Sequence, residues 1–168
     1  MSFTKEIKCG HVLVEGNYST MVGNPIEMLQ QAIGKFDGTA VMQQDTVHTV
    51  RFPFGEELLG SRSPHVTVGN ILLTTNKECP EITKYMNLTN EIVAVNSINE
   101  NLLNRLSGSD FDSDTVMLTN NAKLIESARR NYEHFLVPTG IVQAKKKKRR
   151  YTAEEKADLD IKTSVNKI

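Results

Sequence analysis

Apolar and polar positions alternate over short distances along most of this chain, in the manner of strands rather than the longer stripe of helices. HVLVE (11–15) and YSTMV (18–22) are β-prone runs on either side of Gly16-Asn17, a tight-turn pair, and predict a first hairpin. Further strands are expected at TAVMQ (39–43), VHTVRF (47–52), HVTV (65–68), NILLTT (70–75), EIVAV (91–95) and TVMLT (115–119). Pro53, Gly55, Gly60, Pro64 and Gly69 punctuate them. Many short strands with small helices between them predict a β-rich α+β fold, a compact barrel in place of an open parallel sheet.

Helical periodicity is confined to a few segments. After Gly23, Asn24 is placed to cap a helix with Pro25 at its first position and Glu27 at its third. Ile26, Leu29, Ile33 and Phe36 fall on one face of it, for packing against a sheet, and Gly38 is the stop. Short helices are expected in PEITKYM (80–86) and NENLLNRL (99–106). Asn121 can cap a further helix whose apolar face holds Leu124, Ala128 and Phe135, with Ile125 and Tyr132 beside them. Thr152 with Glu155 makes a capping-box pattern that announces a last helix. It lacks a good apolar stripe and a C-cap signal, which suggests a piece of a longer protein, with a naturally frayed terminus as the plain alternative. No internal repeat is visible in the sequence. The segmentation expected is a strand-helix unit over 1–38, a barrel over 39–120 and a helical tail over 121–168.

Composition narrows the class. The chain has 168 residues, 39% hydrophobic and 24% charged, within the range of a globular domain. Twenty basic residues balance twenty acidic ones, so net charge alone gives no reason to expect nucleic acid. Positive charge is nevertheless concentrated in Lys145, Lys146, Lys147, Lys148, Arg149 and Arg150, a run that is more often a solvated linker than a specific site, yet would suit phosphates. The two cysteines, Cys9 and Cys79, lack zinc-like spacing and fit a reducing, cytoplasmic setting. No apolar run approaches the ~20 residues of a membrane span, and the first residues lack the apolar core of a signal peptide. His11, His48, His65 and His134 show no paired metal spacing, and no phosphate-binding glycine loop or nucleophile elbow occurs. Aromatics at 6% and the absence of Trp argue against a base-stacking platform.

The chemistry concentrates in LSGSDFDSDTVMLTNN (106–121). Asp110, Asp112 and Asp114 stand at alternate positions, so their carboxylates project together from an extended segment. Crowded carboxylates raise one another's pKa unless a cation offsets them, and a hard divalent ion such as Mg²⁺ is the natural partner. A calcium-binding EF-hand loop would need Gly at its sixth position and Glu at its twelfth, where this chain has Thr115 and Asn121. A phosphatase that forms an aspartyl-phosphate would need an apolar strand leading into the first Asp and a long α/β domain behind it; NRLSGS stands there instead. A metal loop and a plain acidic surface turn both remain consistent with these residues.

Gly108-Ser109-Asp110-Phe111-Asp112-Ser113-Asp114, followed by an apolar strand, resembles the D-F-D-G-D loop of two-barrel RNA polymerases. That superfamily includes the largest subunit of cellular DNA-directed RNA polymerases and the RNA-dependent polymerases of RNA silencing. Upstream, Arg62-Ser63-Pro64-His65 is similar to the family's Arg-x-Pro, and Gly69-Asn70-Ile71 to the Gly-x-Ile step after it. The resemblance spans 47–138. It implies a six-stranded double-psi β-barrel with Asp110, Asp112 and Asp114 as Mg²⁺ ligands and catalytic residues. It places Arg62 near the sugar of the nucleotide; a surface pairing of Arg62 with Glu56 or Glu57 is the plain alternative. It further implies nucleoside triphosphates, an RNA product, a DNA or RNA template and a second, lysine-bearing barrel as partners, because only one barrel's worth of chain is present. The expected role is therefore the aspartate-bearing barrel of a nucleotidyltransferase, inactive in isolation. Ser113 stands where the family has Gly, and a non-catalytic barrel derived from such a polymerase is the competing expectation.

Overall fold

The computed structural model describes residues 3–11, 13–135, 137, 152–154 and 156. In chain order the elements are α1 (Phe3–Lys8), β1 (Asn17–Gly23), α2 (Pro25–Ala32), β2 (Thr46–His48), β3 (Glu57–Ser61), β4 (Ile71–Asn76), α3 (Pro80–Tyr85), β5 (Ile92–Val95), α4 (Leu102–Arg105), β6 (Thr115–Thr119) and α5 (Ala122–Asn131). The six strands close into one barrel in the order β1-β5-β2-β4-β3-β6. β1 with β5 and β2 with β4 are parallel, and the remaining neighbours are antiparallel.

This order carries a hidden two-fold. Exchanging β1, β2 and β3 for β4, β5 and β6 reproduces every pairing and its direction. Each half has a helix with Pro at its first turn behind its first strand, α2 in one half and α3 in the other. A two-fold pair of three-strand units in one closed six-stranded barrel is the double-psi arrangement. The halves share topology without sharing sequence, which is why no repeat is visible in the residues.

The barrel interior is filled by alternate residues of the strands, including Met21, Leu58, Leu72, Val93, Val95, Val116 and Leu118, and is closed by Leu102 and Leu106 around α4. Each such side chain contributes about 1.5–3 kcal/mol on burial. Gly60 lets the strands pack closely: a Cβ there would stand 3.2 Å from Leu72 Cβ and 3.4 Å from both Leu118 Cδ2 and Val116 Cγ2. Outside the barrel, Ile26, Met42, Cys79, Ile82 and Ala94 form one cluster under α2 and α3. Ile125 and Ala128 of α5 pack on Leu59 of β3 with Ile71 and Leu73 of β4 beside them.

Several expected elements are replaced, each for a visible reason. The described residues of HVLVE lie in no strand. Gly16 is not a hairpin turn; a Cβ there would meet Leu118 O at 2.7 Å, so Gly is needed where the chain passes close to β6 on entering the barrel. β1 itself is a stave of the barrel, which therefore starts well before residue 39. TAVMQ is irregular because the Glu27 carboxylate takes the Val41 N–H at 2.5 Å. HVTV is a turn in which the Asn70 side chain accepts from the Thr67 N–H at 2.8 Å and the Asn70 N–H donates to Thr67 O at 3.0 Å. VHTVRF keeps only a short strand, since the Asn76 side chain takes the Thr49 N–H and donates to Thr49 O, both at 3.0 Å. β3, where Gly60 suggested punctuation, is a strand.

The helices are also adjusted. α2 ends at Ala32 and buries only Pro25, Ile26 and Glu27, leaving Leu29 and Ile33 exposed. Asn24 holds the cap position with no side-chain cap bond, because its side chain is committed elsewhere. α5 is capped as expected, Asn121 Oδ1 accepting from Lys123 N at 3.1 Å and Leu124 N at 3.2 Å. Its buried stripe is Ile125 and Ala128, with Leu124 and Phe135 exposed. At the tail, Lys156 N donates to Thr152 O at 3.1 Å, the bond of a helical turn; Glu155 and the basic run of Lys145, Lys146, Lys147, Lys148, Arg149 and Arg150 lie outside the described residues. Among the described residues, no helix is long and apolar enough to cross a membrane.

His48 ends β2 fully buried, and its Nδ1 accepts from Cys79 N at 3.0 Å. Burial lowers its pKa below the ordinary 6.5. Below pH about 6.5 the unfolded chain therefore takes this proton before the folded one, and stability falls until the pH passes the lowered folded value. Urea midpoints are expected to drop from pH 7.5 to pH 5.5, and the drop should shrink in His48→Gln. An unchanged pH dependence in that variant would assign the loss to other groups.

Candidate metal centre

The acidic loop joins α4 to β6, and both of its ends are held. Ser107 and Gly108 take left-handed conformations, φ 58° and 67°, that reverse the chain after the buried Leu106. Ser109 is buried, with its N–H donating to Leu103 O at 3.0 Å. At the far end, Asp114 O accepts from Met21 N of β1 at 2.9 Å, where β6 begins.

Within the loop, Asp110 N donates to Asp114 Oδ2 at 2.9 Å and Asp112 N to Asp110 Oδ1 at 3.3 Å. One carboxylate oxygen from each of Asp110, Asp112 and Asp114 lies within 4.8 Å of the other two. Oxygens around one Mg²⁺ ion stand roughly 3 Å apart when adjacent and roughly 4.2 Å apart when opposite, so the trio is near enough to share a hard divalent ion once its carboxylates draw in. The donor set is entirely carboxylate oxygen, the chemistry such ions prefer.

Charge within the trio is unevenly distributed. β3 runs antiparallel to β6 with Ser61 opposite Met117, which delivers Arg62 to the start of β6. Arg62 Nη2 donates to Asp114 Oδ1 at 2.7 Å, with Nη1 3.4 Å from Ser107 O; the two side chains are 16% and 20% exposed. This guanidinium holds the Asp114 carboxyl below its ordinary range, aided by the Asp110 N–H. Among the described residues, Asp112 has no such partner. Its hydrogen bond and repulsion with Asp110, then burial and the Asp114 charge, push its pKa up. The trio therefore contains one carboxylate already neutralised by Arg62 and one, Asp112, with no cation beside it among the described residues.

The three aspartates lie together, as their alternate spacing leads one to expect, because they are local in sequence. Arg62 is beside them, on Asp114. Glu57 pairs instead with Arg129, and Glu56 accepts from Asn120 at 3.0 Å. A residue that sequence reasoning missed is Gly23 at the end of β1, which lies under the ring of Phe111. No local pattern marks it.

Ser113 has φ 96°, a region that strains an L side chain. Ser113→Gly is expected to raise the unfolding free energy by about 1 kcal/mol, the relief of backbone strain exceeding the added freedom of the unfolded chain. Urea denaturation checks this. A less stable variant would mean that the serine contributes more than its conformation costs.

Fold and loop together define a small closed barrel of double-psi order, bearing a three-aspartate cluster able to hold a metal ion. Among solved structures it is similar to RNA dependent RNA polymerase QDE-1 from Thielavia terrestris, at 16% sequence identity and a TM-score of 0.48. That likeness covers 77% of this chain and 13% of the polymerase. No family model matches the chain, and no curated protein matches it.

Proposed function

We propose that this chain is the aspartate-bearing catalytic barrel of an RNA polymerase-like nucleotidyltransferase, working in the cytoplasm, with Asp110, Asp112 and Asp114 as the ligands of Mg²⁺. The observation that carries the reading is the convergence of the three carboxylates within 4.8 Å on a loop that Arg62 reaches from β3. The sequence resemblance in that loop, in Arg62-Ser63-Pro64 and in Gly69-Asn70-Ile71 supports it, as does the barrel order. When bound, the metal would lower the pKa of an RNA 3′-hydroxyl and offset charge on the phosphate it attacks.

The residues of the chain supply placement. Asp114, fixed by Arg62 and by the Asp110 N–H, is the oriented ligand. Asp112, with its raised pKa, gains most from a cation and sets how strongly the loop draws one. Arg62 stands close enough to the trio for its remaining donors to meet a sugar hydroxyl of an arriving nucleotide. Because Arg62 is committed to Asp114, neutralising a triphosphate falls to a second, lysine-bearing barrel, and template and RNA product lie between the two. The basic run at 145–150 suits phosphates of that nucleic acid.

The competing reading, a barrel that keeps the acidic loop without turnover, draws on Ser113. The loop closes with Ser113 at φ 96°, so the serine is accommodated at a cost in strain. Combined with a lysine-bearing partner barrel, the chain is expected to extend an RNA 3′-end, and Asp112→Asn should reduce extension at least about 100-fold. Extension that survives this substitution would remove the catalytic reading.

A further inference from the structure

We propose that Gly23 and Phe111 form the seat that positions the aspartate loop, a role that rests on the metal reading above. Phe111 lies between the first two aspartates, and its ring lies directly on the backbone of β1. A Cβ at Gly23 would stand 2.3, 2.4 and 2.9 Å from Cε2, Cζ and Cδ2 of that ring, far inside van der Waals contact. Gly23 is not among the residues with positive φ, so its backbone would accept any side chain. The three nearest atoms a Cβ would meet all belong to that ring, so a side chain at this position must displace Phe111.

The seat is itself held rigidly. Gly23 pairs with Val95 of β5, and Asn24 behind it adopts a left-handed conformation, φ 36° and ψ 60°. Asn24 is buried and donates through Nδ2 to Asn96 Oδ1 at 2.8 Å, while its Oδ1 accepts from Ser97 N at 2.9 Å and Ser97 Oγ at 3.1 Å. These bonds fix the corner at the end of β1 against the loop after β5. The aspartate loop is then gripped by the same strand twice, at its middle through Phe111 and at its end through the Met21–Asp114 backbone bond. Phe111 remains 41% exposed and belongs to none of the apolar clusters. A large ring half in solvent contributes little to folding, and its contact with Gly23 sets the height and direction of Asp110 and Asp112 above the barrel end.

The test is Mn²⁺ binding by the full chain, followed by electron paramagnetic resonance, in Gly23→Ala, Phe111→Ala and the double variant. Each substitution alone is expected to weaken Mn²⁺ about 10- to 100-fold, the range seen when groups supporting metal ligands are lost. The double variant should match Phe111→Ala, because the added methyl then enters space the ring has left. Circular dichroism melts identify which variants are folded, and Phe111→Ala, altering a half-exposed side chain, keeps the comparison available if Gly23→Ala unfolds. Unchanged affinity in a folded single variant, or losses that add in the double, would overturn the proposal. If the wild type shows no saturable Mn²⁺ binding, the metal reading fails separately. The seat is then judged by amide exchange at Asp110 and Asp112: faster exchange in Gly23→Ala sustains it, and unchanged exchange overturns it.

Discussion

Asp112→Asn is expected to bind Mn²⁺ at least about 100-fold more weakly than the wild type while melting at the same or a higher temperature in metal-free buffer. The two effects share one origin. Asp112 has its pKa raised by Asp110 first, then by burial and by Asp114, so its charge at neutral pH opposes the folded loop. A folded-state pKa above the unfolded one means that the protonated form is favoured on folding; this contribution is complete below pH about 3.8 and is lost as the pH rises through the folded value. Asparagine keeps the group neutral throughout. Its advantage in stability should therefore be present at pH 7 and vanish in acid, and its loss of metal affinity should fade in acid as well, where the wild-type carboxylates are protonated and no longer ligate. Calorimetric melts with and without Mn²⁺ read both arms. A variant less stable without metal would mean that Asp112 serves the fold and not an ion.

Asn76→Ala is expected to lower the unfolding free energy by about 3–5 kcal/mol, a large effect for a single side chain. Asn76 is fully buried at the end of β4. Its Oδ1 accepts from Thr49 N, and its Nδ2 donates to Thr49 O at 3.0 Å, Phe52 O at 2.8 Å and Pro53 O at 3.2 Å. Alanine leaves these backbone groups without their partner under the barrel, at about 1–3 kcal/mol for each one that water cannot reach. Asn76→Asp retains the shape but loses the donor and buries a charge, so it should be no better. Urea denaturation reads both variants. A loss below about 1 kcal/mol would show that the segment after β2 satisfies itself without Asn76.

The same asparagine shows where the sequence was opaque. VHTVRF has the composition of a long strand, yet β2 stops at His48 because a side chain distant in sequence captures the Thr49 backbone. TAVMQ and HVTV fail as strands for the same physical reason, with Glu27 and Asn70 taking the N–H groups that a ladder would need. β1, β4, β5 and β6 were legible because each is a short local run of apolar and β-branched residues. β3 was not, since Gly60 reads as a turn until Leu72, Val116 and Leu118 are seen crowding it. The aspartate cluster was legible because alternate positions along five residues are enough to bring its carboxylates together. The Gly23 seat was not, because a glycine beneath an aromatic ring leaves no pattern along the chain.

The central claim is that the three aspartates form one metal site. Its most direct measurement is a Mn²⁺ titration, followed by electron paramagnetic resonance, of the wild type against a variant with Asp110, Asp112 and Asp114 all changed to Asn. One saturable site is expected in the wild type, displaced by Mg²⁺, and no saturable binding in the variant. Equal binding in the two, whether negligible or tight, would contradict it.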